Sequence, residues 1–138
     1  MQKAAHSIHD PKHSNGFSHE TNDCAVRAMA NAFSVPYVHA WAAMRAAGRK
    51  DKKGTAVGVI DKVVTGEHGG KRGHRMERVG KSYEGKHEVT IGTFCKYHPT
   101  GRFYCIVRGH AFAIVDGVVQ DAFKNRAGRR IYRAYEIV

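Results

Sequence analysis

The stretch GHAFAIVDGVVQDAF, residues 109–123, decides the fold. An Asp-Gly pair between two apolar, strand-like runs is a strong short-range signal for a two-residue hairpin turn. Counting outward from Asp116-Gly117 sets Val115 opposite Val118, Ile114 opposite Val119, Ala113 opposite Gln120, Phe112 opposite Asp121 and His110 opposite Phe123. Side chains on a strand alternate with period two. His110, Phe112 and Ile114 therefore share a face with Val119, Asp121 and Phe123, and His110 and Asp121 become diagonal neighbours on it. A bulge near Gly109 or Ala111 would change this register. A lone carboxylate among such apolar residues is costly. An imidazole beside it removes much of that cost, fixes the ring's tautomer and leaves the second ring nitrogen to take a proton. Asp116 is a rival acid, but the turn itself accounts for an aspartate there.

A base with its orienting acid needs a nucleophile. In ETNDCAVRAMANAF, residues 20–33, the positions Val26, Met29, Ala30 and Phe33 recur with the spacing of one helical face. Thr21 or Asn22 can cap this helix, and Asp23 complements its positive end. Cys24 then sits where the helix begins. A thiol there feels the helix dipole, and a neighbouring imidazolium lowers its pKa further. The same first-turn N–H groups can hold an oxyanion.

The rest of the chain reads around these two pieces. A second helix is expected over residues 37–47, with Val38, Trp41, Ala42 and Arg45 along one side and Gly48 ending it. TAVGVIDKVV reads as a third helix weakened by Gly58. The Gly- and charge-rich residues 65–87 read as mostly loop, with a short strand near Arg75–Val79. TIGTFCKYH reads as a short helix capped by Thr90, with Ile91, Phe94 and Cys95 inward. After the turn at Pro99-Thr100-Gly101 the chain is β-rich, and RRIYRAYEIV reads as a last strand. Helices followed by an antiparallel sheet give an α+β domain. Residues 1–20 are expected as a mobile arm and 21–138 as a single domain.

Composition sets the outer bounds. The chain has 138 residues, 42% hydrophobic and 25% charged, enough for a core without staples. No apolar run approaches the ~18 residues of a membrane span, and the polar, histidine-rich start lacks the apolar region of a secretory signal. A cytoplasmic location and no membrane partner are expected. Cys24, Cys95 and Cys105 are expected as free thiols. The formal charge is +11 with a pI near 9.9. From Arg45 to Lys86 there are twelve Lys/Arg against five Asp/Glu, a net of +7. Such an excess favours a polyanionic or acidic partner, although no nucleic-acid-binding motif accompanies it. Ten histidines raise the question of metal. Cys95, His98, Cys105 and His110 are ligand types at no recognisable zinc spacing. Cys105 and His110 would also face opposite ways on one straight strand. His6, His9 and His13 could take up metal adventitiously. No metal and no cofactor are expected.

With these motifs together, the chain resembles the papain-like cysteine peptidase superfamily. The matching pieces are NDCAVRAMANAF, with Cys at the start of the first helix, and GHAFAIVDGVVQDAF, with His on one strand and Asp on the next. The order Cys, His, Asp/Asn is that of papain-like enzymes, including the compact bacterial peptidase domains of the C39 type. The chain is also similar to small phage-encoded proteins with an E-T-N-D-C-x-x-R-A start and a G-H-x-x-x-[IV]-x-[DN]-G hairpin, a likeness covering roughly two thirds of its length. The resemblance implies a papain-like fold, with Cys24 as nucleophile, His110 as general base and Asp121 as orienting acid. It implies cleavage of a peptide, isopeptide or related amide bond in a protein or peptide substrate, in the host cytoplasm if phage-encoded. Deamidation and amide transfer use the same triad. One departure stands out: papain-like enzymes carry a Gln some residues before the Cys as oxyanion donor, and GFSHETN, residues 16–22, has none. Ser18, His19 and Asn22 are the substitutes, with Asn22 favoured for its amide. The missing Gln and the basic charge favour the alternative, a catalytically vestigial basic phage protein that binds nucleic acid, through residues 45–86, or a host protein.

Overall fold

The Asp116-Gly117 turn forms with both residues in the left-handed region, φ 51° and 75°, the geometry of a tight hairpin turn that matches strand twist. It joins β5 (His110–Val115) to β6 (Val118–Asp121), and the pairs Val115–Val118, Ile114–Val119 and Ala113–Gln120 are those expected. The computed structural model describes residues 22–51, 53–77, 89–121 and 125–138, and the backbone of 5–8. Phe123 lies outside the described residues, so its pairing with His110 does too.

A second turn, at Arg108-Gly109, folds β4 (Arg102–Val107) back against β5. Gly109 takes φ 71° there, a conformation that suits glycine. Cys105 and His110 therefore lie on two neighbouring strands, not on one straight strand. β4 also pairs with β7 (Arg133–Ile137), the expected last strand. Beyond β7 come β3 (Lys71–Arg75) and β2 (Glu67–His68), a hairpin turned by Gly69-Gly70 in the region expected to be mostly loop. The strand expected near Arg75–Val79 is thus placed earlier, and residues 78–88 lie outside the described residues. At the far edge, β1 (Ala5–Ile8) pairs parallel with β6, so the expected arm contributes a strand. Among the described residues the sheet order is β1-β6-β5-β4-β7-β3-β2, antiparallel except at β1, and the fold is α+β.

Both faces of the central strands are covered, so β4 and β5 are near-continuous apolar runs. On one face lie α1 (Cys24–Phe33), α2 (Tyr37–Ala46) and α3 (Val57–Val64), enclosing Val26, Met29, Phe33, Tyr104 and Tyr135. Ala25, Ala28 and Ala32 of α1 share that core with Ala111 and Ala113 of β5, and these small side chains let helix and strand approach closely. On the other face α4 (Ile91–Tyr97) closes a core of Phe94, Phe103, Cys105, Phe112 and Ile114. Thr90 caps α4 as expected, its hydroxyl accepting from the Thr93 N–H at 3.2 Å. The face of α2 differs from expectation: Tyr37, Ala40 and Met44 are buried, while Val38 is half exposed and Arg45 faces solvent. Both stripes fit helical spacing, and Tyr37 decides between them because its hydroxyl bonds the buried Asp23 at 2.7 Å.

Gly73 on β3 marks where α3 meets the sheet. A Cβ there would stand 2.4 Å from the Val64 carbonyl oxygen and 2.7 Å from Val64 Cγ1. Gly73→Ala must push α3 away and is expected to cost about 1–3 kcal/mol, the usual range for overpacking. Chemical denaturation would show it as a lower midpoint at unchanged slope. An unchanged midpoint would refute the contact.

Candidate active site

Cys24 is the first residue of α1, half-buried, at the sheet end where β5 begins. Two contacts fix the helix start. The Asp23 carboxylate, 4% exposed, accepts from Tyr37 Oη at 2.7 Å and from Arg27 Nε at 3.3 Å. Asp23 stands at the N-cap position, where Thr21 or Asn22 was expected, and makes no capping bond to the helix. Asn22 precedes it in the left-handed region, φ 53°, and Thr21 lies outside the described residues. From below, the fully buried Tyr104 donates its hydroxyl to the Ala25 carbonyl at 3.0 Å. The first turn of α1 is thereby tied to α2 on one side and to β4 on the other.

His110 opens β5, and Asp121 closes the described part of β6. His110 Nε2 lies 2.5 Å from Asp121 Oδ2, which realises the diagonal contact drawn from the turn. The imidazole also stacks on Phe112, centroids 6.1 Å apart. Asp121 is 4% exposed and accepts a second bond from Asn125 Nδ2 at 2.6 Å. Arg129 donates to Asn125 Oδ1 at 3.2 Å and to the Arg108 carbonyl at 2.6 Å. Asn125 and Arg129 thus buttress the acid and the turn before His110. Neither stood out in the sequence, since they follow β6 in an Arg-rich stretch without periodicity.

Cys24 lies beside His110, close enough for each to shift the other's titration. Nε2 is committed to Asp121, which leaves Nδ1 for the sulfur. Burial raises the Cys24 pKa, but the bond to His110, the Ala111 N–H, the His110 charge and the Ala25 N–H together bring it below its ordinary value. Burial works against the charged form of His110 too. The bonds and charges of Asp121 and Cys24 outweigh it and raise the imidazole to about 9. A depressed thiol beside an elevated imidazole is the signature of a thiolate–imidazolium pair. The other cysteines lack such partners. Burial pushes Cys95 up to about 11, and burial together with the charge of nearby Cys95 pushes Cys105 well above its ordinary value. Both lie in or against the second core, and His98 packs there against Phe94 and Phe103.

Cys24 and His110 open onto a cleft of about 770 Å³. Its walls come from the α2–α3 loop and the start of α3, including Thr55, Ala56, Val57 and Ile60, and from Ile106, Arg108, Gly109, Ala111 and Tyr132. Thus Cys24, His110 and Asp121 are brought together. Asn22 is exposed and is not among the cleft's lining residues, while Ser18 and His19 lie outside the described residues. Within the basic segment, Arg45 lies over the Trp41 ring at 5.0 Å and pairs with Asp51 at 3.6 Å. Arg72 donates to the Thr65 carbonyl at 2.9 Å, and Arg49 is buried. Among the described residues no helix is long and apolar enough to cross a membrane. Set beside known proteins, the chain matches no family model, and searches of the curated proteins and of the solved structures return no match either.

Proposed function

We propose that this chain is a papain-like cysteine hydrolase that cleaves a peptide, isopeptide or related amide bond. One observation carries the reading: Cys24 and Asp121 engage the same imidazole at the mouth of a cleft. Nucleophile, base and orienting acid in hydrogen-bond reach are what acyl transfer by a thiol requires.

In this mechanism the Cys24 thiolate attacks the substrate carbonyl carbon and forms a C–S bond. The negative charge moves to the carbonyl oxygen, where the first-turn N–H groups of α1 are the donors at hand. His110 gives its Nδ1 proton to the departing amine as the C–N bond breaks, leaving a thioester. Water then loses a proton to Nδ1 and attacks the thioester, and the carboxylic acid departs as the thiol is restored. With ammonia as the leaving group the same steps are a deamidation. Asp121 stays ionised throughout and holds the ring so that Nδ1 faces sulfur.

An activated ester tests this without knowledge of the substrate. With p-nitrophenyl acetate at pH 7, an acetyl adduct is expected on Cys24 alone, forming in a burst and then hydrolysing with turnover, and lost in Cys24→Ala. Acetylation of Cys24 no faster than of Cys95 and Cys105 would defeat the proposal and leave the binding-protein alternative.

A further inference from the structure

Two histidines outside the Cys24 cleft meet between α2 and β2. His39 Nε2 lies 3.2 Å from His68 Nδ1, and the two rings stand perpendicular with centroids 5.4 Å apart. His68 Nε2 lies 2.9 Å from the Val63 carbonyl oxygen. A carbonyl only accepts, so Nε2 carries the His68 proton, Nδ1 keeps its lone pair, and His39 Nε2–H donates to it. The local chain builds this approach. Gly69 turns the β2–β3 hairpin at φ 58°, and a Cβ on it would stand 2.8 Å from Val35 Cγ1. Without one, the hairpin tip presses against the corner between α1 and α2, where the His68 ring meets Phe33 edge-on. His68 is thus held on two sides, while the exposed His39 ring is free to turn.

We propose that His39 and His68 bind a first-row divalent transition metal such as Zn²⁺ or Ni²⁺. The separation of the two nitrogens is the main argument. Two imidazole nitrogens on one tetrahedral metal, each ~2.0–2.1 Å from it, stand about 3.3–3.4 Å apart, close to the 3.2 Å between these two. The His39 proton then moves to Nδ1, and the metal takes its place between the rings. The second argument is orientation. A histidine ligand characteristically donates its other ring N–H to a fixed acceptor, and His68 already does so to Val63. Among the described residues no group of three or more His, Cys, Asp or Glu is placed to hold a metal, which leaves the remaining positions to water. Lys71 stands opposite His68 on the hairpin, and the chain is net +11, so ligation and not overall charge must hold the ion. That favours metals that suit imidazole over Mg²⁺ and Ca²⁺, which take oxygen ligands. Twenty-nine residues separate the pair along the chain, which hid it in the sequence. None of this depends on the chemistry of Cys24.

Ni²⁺ is the probe, on the full chain carrying Cys24→Ala so that no thiolate competes for it. A metal that binds the folded pair raises the thermal unfolding midpoint. The midpoint should climb with Ni²⁺ and saturate, and Mg²⁺ should leave it in place. His39→Ala and His68→Ala should each need at least about tenfold more Ni²⁺ for the same rise, since even an outer partner of a metal ligand is typically worth 10–100-fold in affinity. His39 is exposed on α2, so His39→Ala carries the test if His68→Ala folds poorly. A rise that ignores these substitutions is an adventitious ion only, taken up elsewhere on a chain with ten histidines. That result, no rise at all, or an equal rise with Mg²⁺ overturns the site.

Discussion

His110→Ala is expected to lose about 10²–10⁴-fold in Cys24 acyl turnover, the range that a general base supplies, and to move the alkylation profile of Cys24 to higher pH. The direction follows from the balance at the sulfur. Burial raises the Cys24 pKa, and three neighbours lower it: His110 by hydrogen bonding and charge, and the Ala111 and Ala25 N–H groups. With the imidazole gone, burial remains and only the Ala111 and Ala25 N–H groups oppose it. Cys95 shows the limit when nothing opposes burial, about 11. At pH 7 a thiol at that value is ionised to roughly one part in 10⁴. In the wild type, iodoacetamide labelling mapped by peptide mass spectrometry should find Cys24 reacting alone at neutral pH. Acyl turnover should rise with pH through the depressed thiol pKa and fall as His110 deprotonates near 9. If labelling of Cys24 ignores the loss of His110, the two side chains do not form the ion pair and the triad is not assembled.

How far this site was legible depends on how local each signal is. A two-residue Asp-Gly turn leaves little freedom of register, so three strand pairs, and with them the His110–Asp121 contact, follow from counting outward along the chain. The helix beginning at Cys24 was legible for the same reason, since its apolar spacing and helix-start residues are all within a dozen positions. The failures are of two kinds. Gly69-Gly70 and Arg108-Gly109 are turns of the same economy, yet the strands they join are short or charged at β2–β3, and at β4–β5 they are buried on both faces, which erases alternation. The remainder depend on distant partners. The burial of Tyr37 rests on a bond to Asp23 fourteen residues away, and the anchoring of α1 rests on Tyr104 reaching the Ala25 carbonyl from 79 residues away. The hold of Arg129 on the turn before His110 rests on the Arg108 carbonyl, 21 residues away. Periodicity within a segment carries none of this.

Asp121→Asn separates what the acid does by position from what it does by charge. The amide oxygen can still accept from Nε2–H, so Nδ1 should keep facing the sulfur. Papain-like enzymes, with Asp or Asn in this place, make that substitution a fair test of the resemblance. What disappears is the negative charge that, with the bond it makes, lifts His110 against its burial. The folded-state imidazole pKa must therefore fall from about 9 toward or below its ordinary value. The alkaline limb of the acyl-turnover profile should move down with it by at least about one unit, since a charged partner within hydrogen-bond reach typically shifts a pKa by 1–3 units. Turnover at pH 6 should drop by about tenfold, and turnover at pH 8.5 by considerably more, because the ion pair survives only on the acid side of the new imidazole value. Asp121→Ala is expected to be worse at every pH. It removes the acceptor as well, leaving the His110 ring and the Asn125 amide without their buried partner, at a stability cost of about 1–3 kcal/mol. An Asp121→Asn profile that merely scales down, with its alkaline limb still near 9, would mean that another group holds the imidazolium. Asp121 would then be a buried acid beside the site, not part of its chemistry.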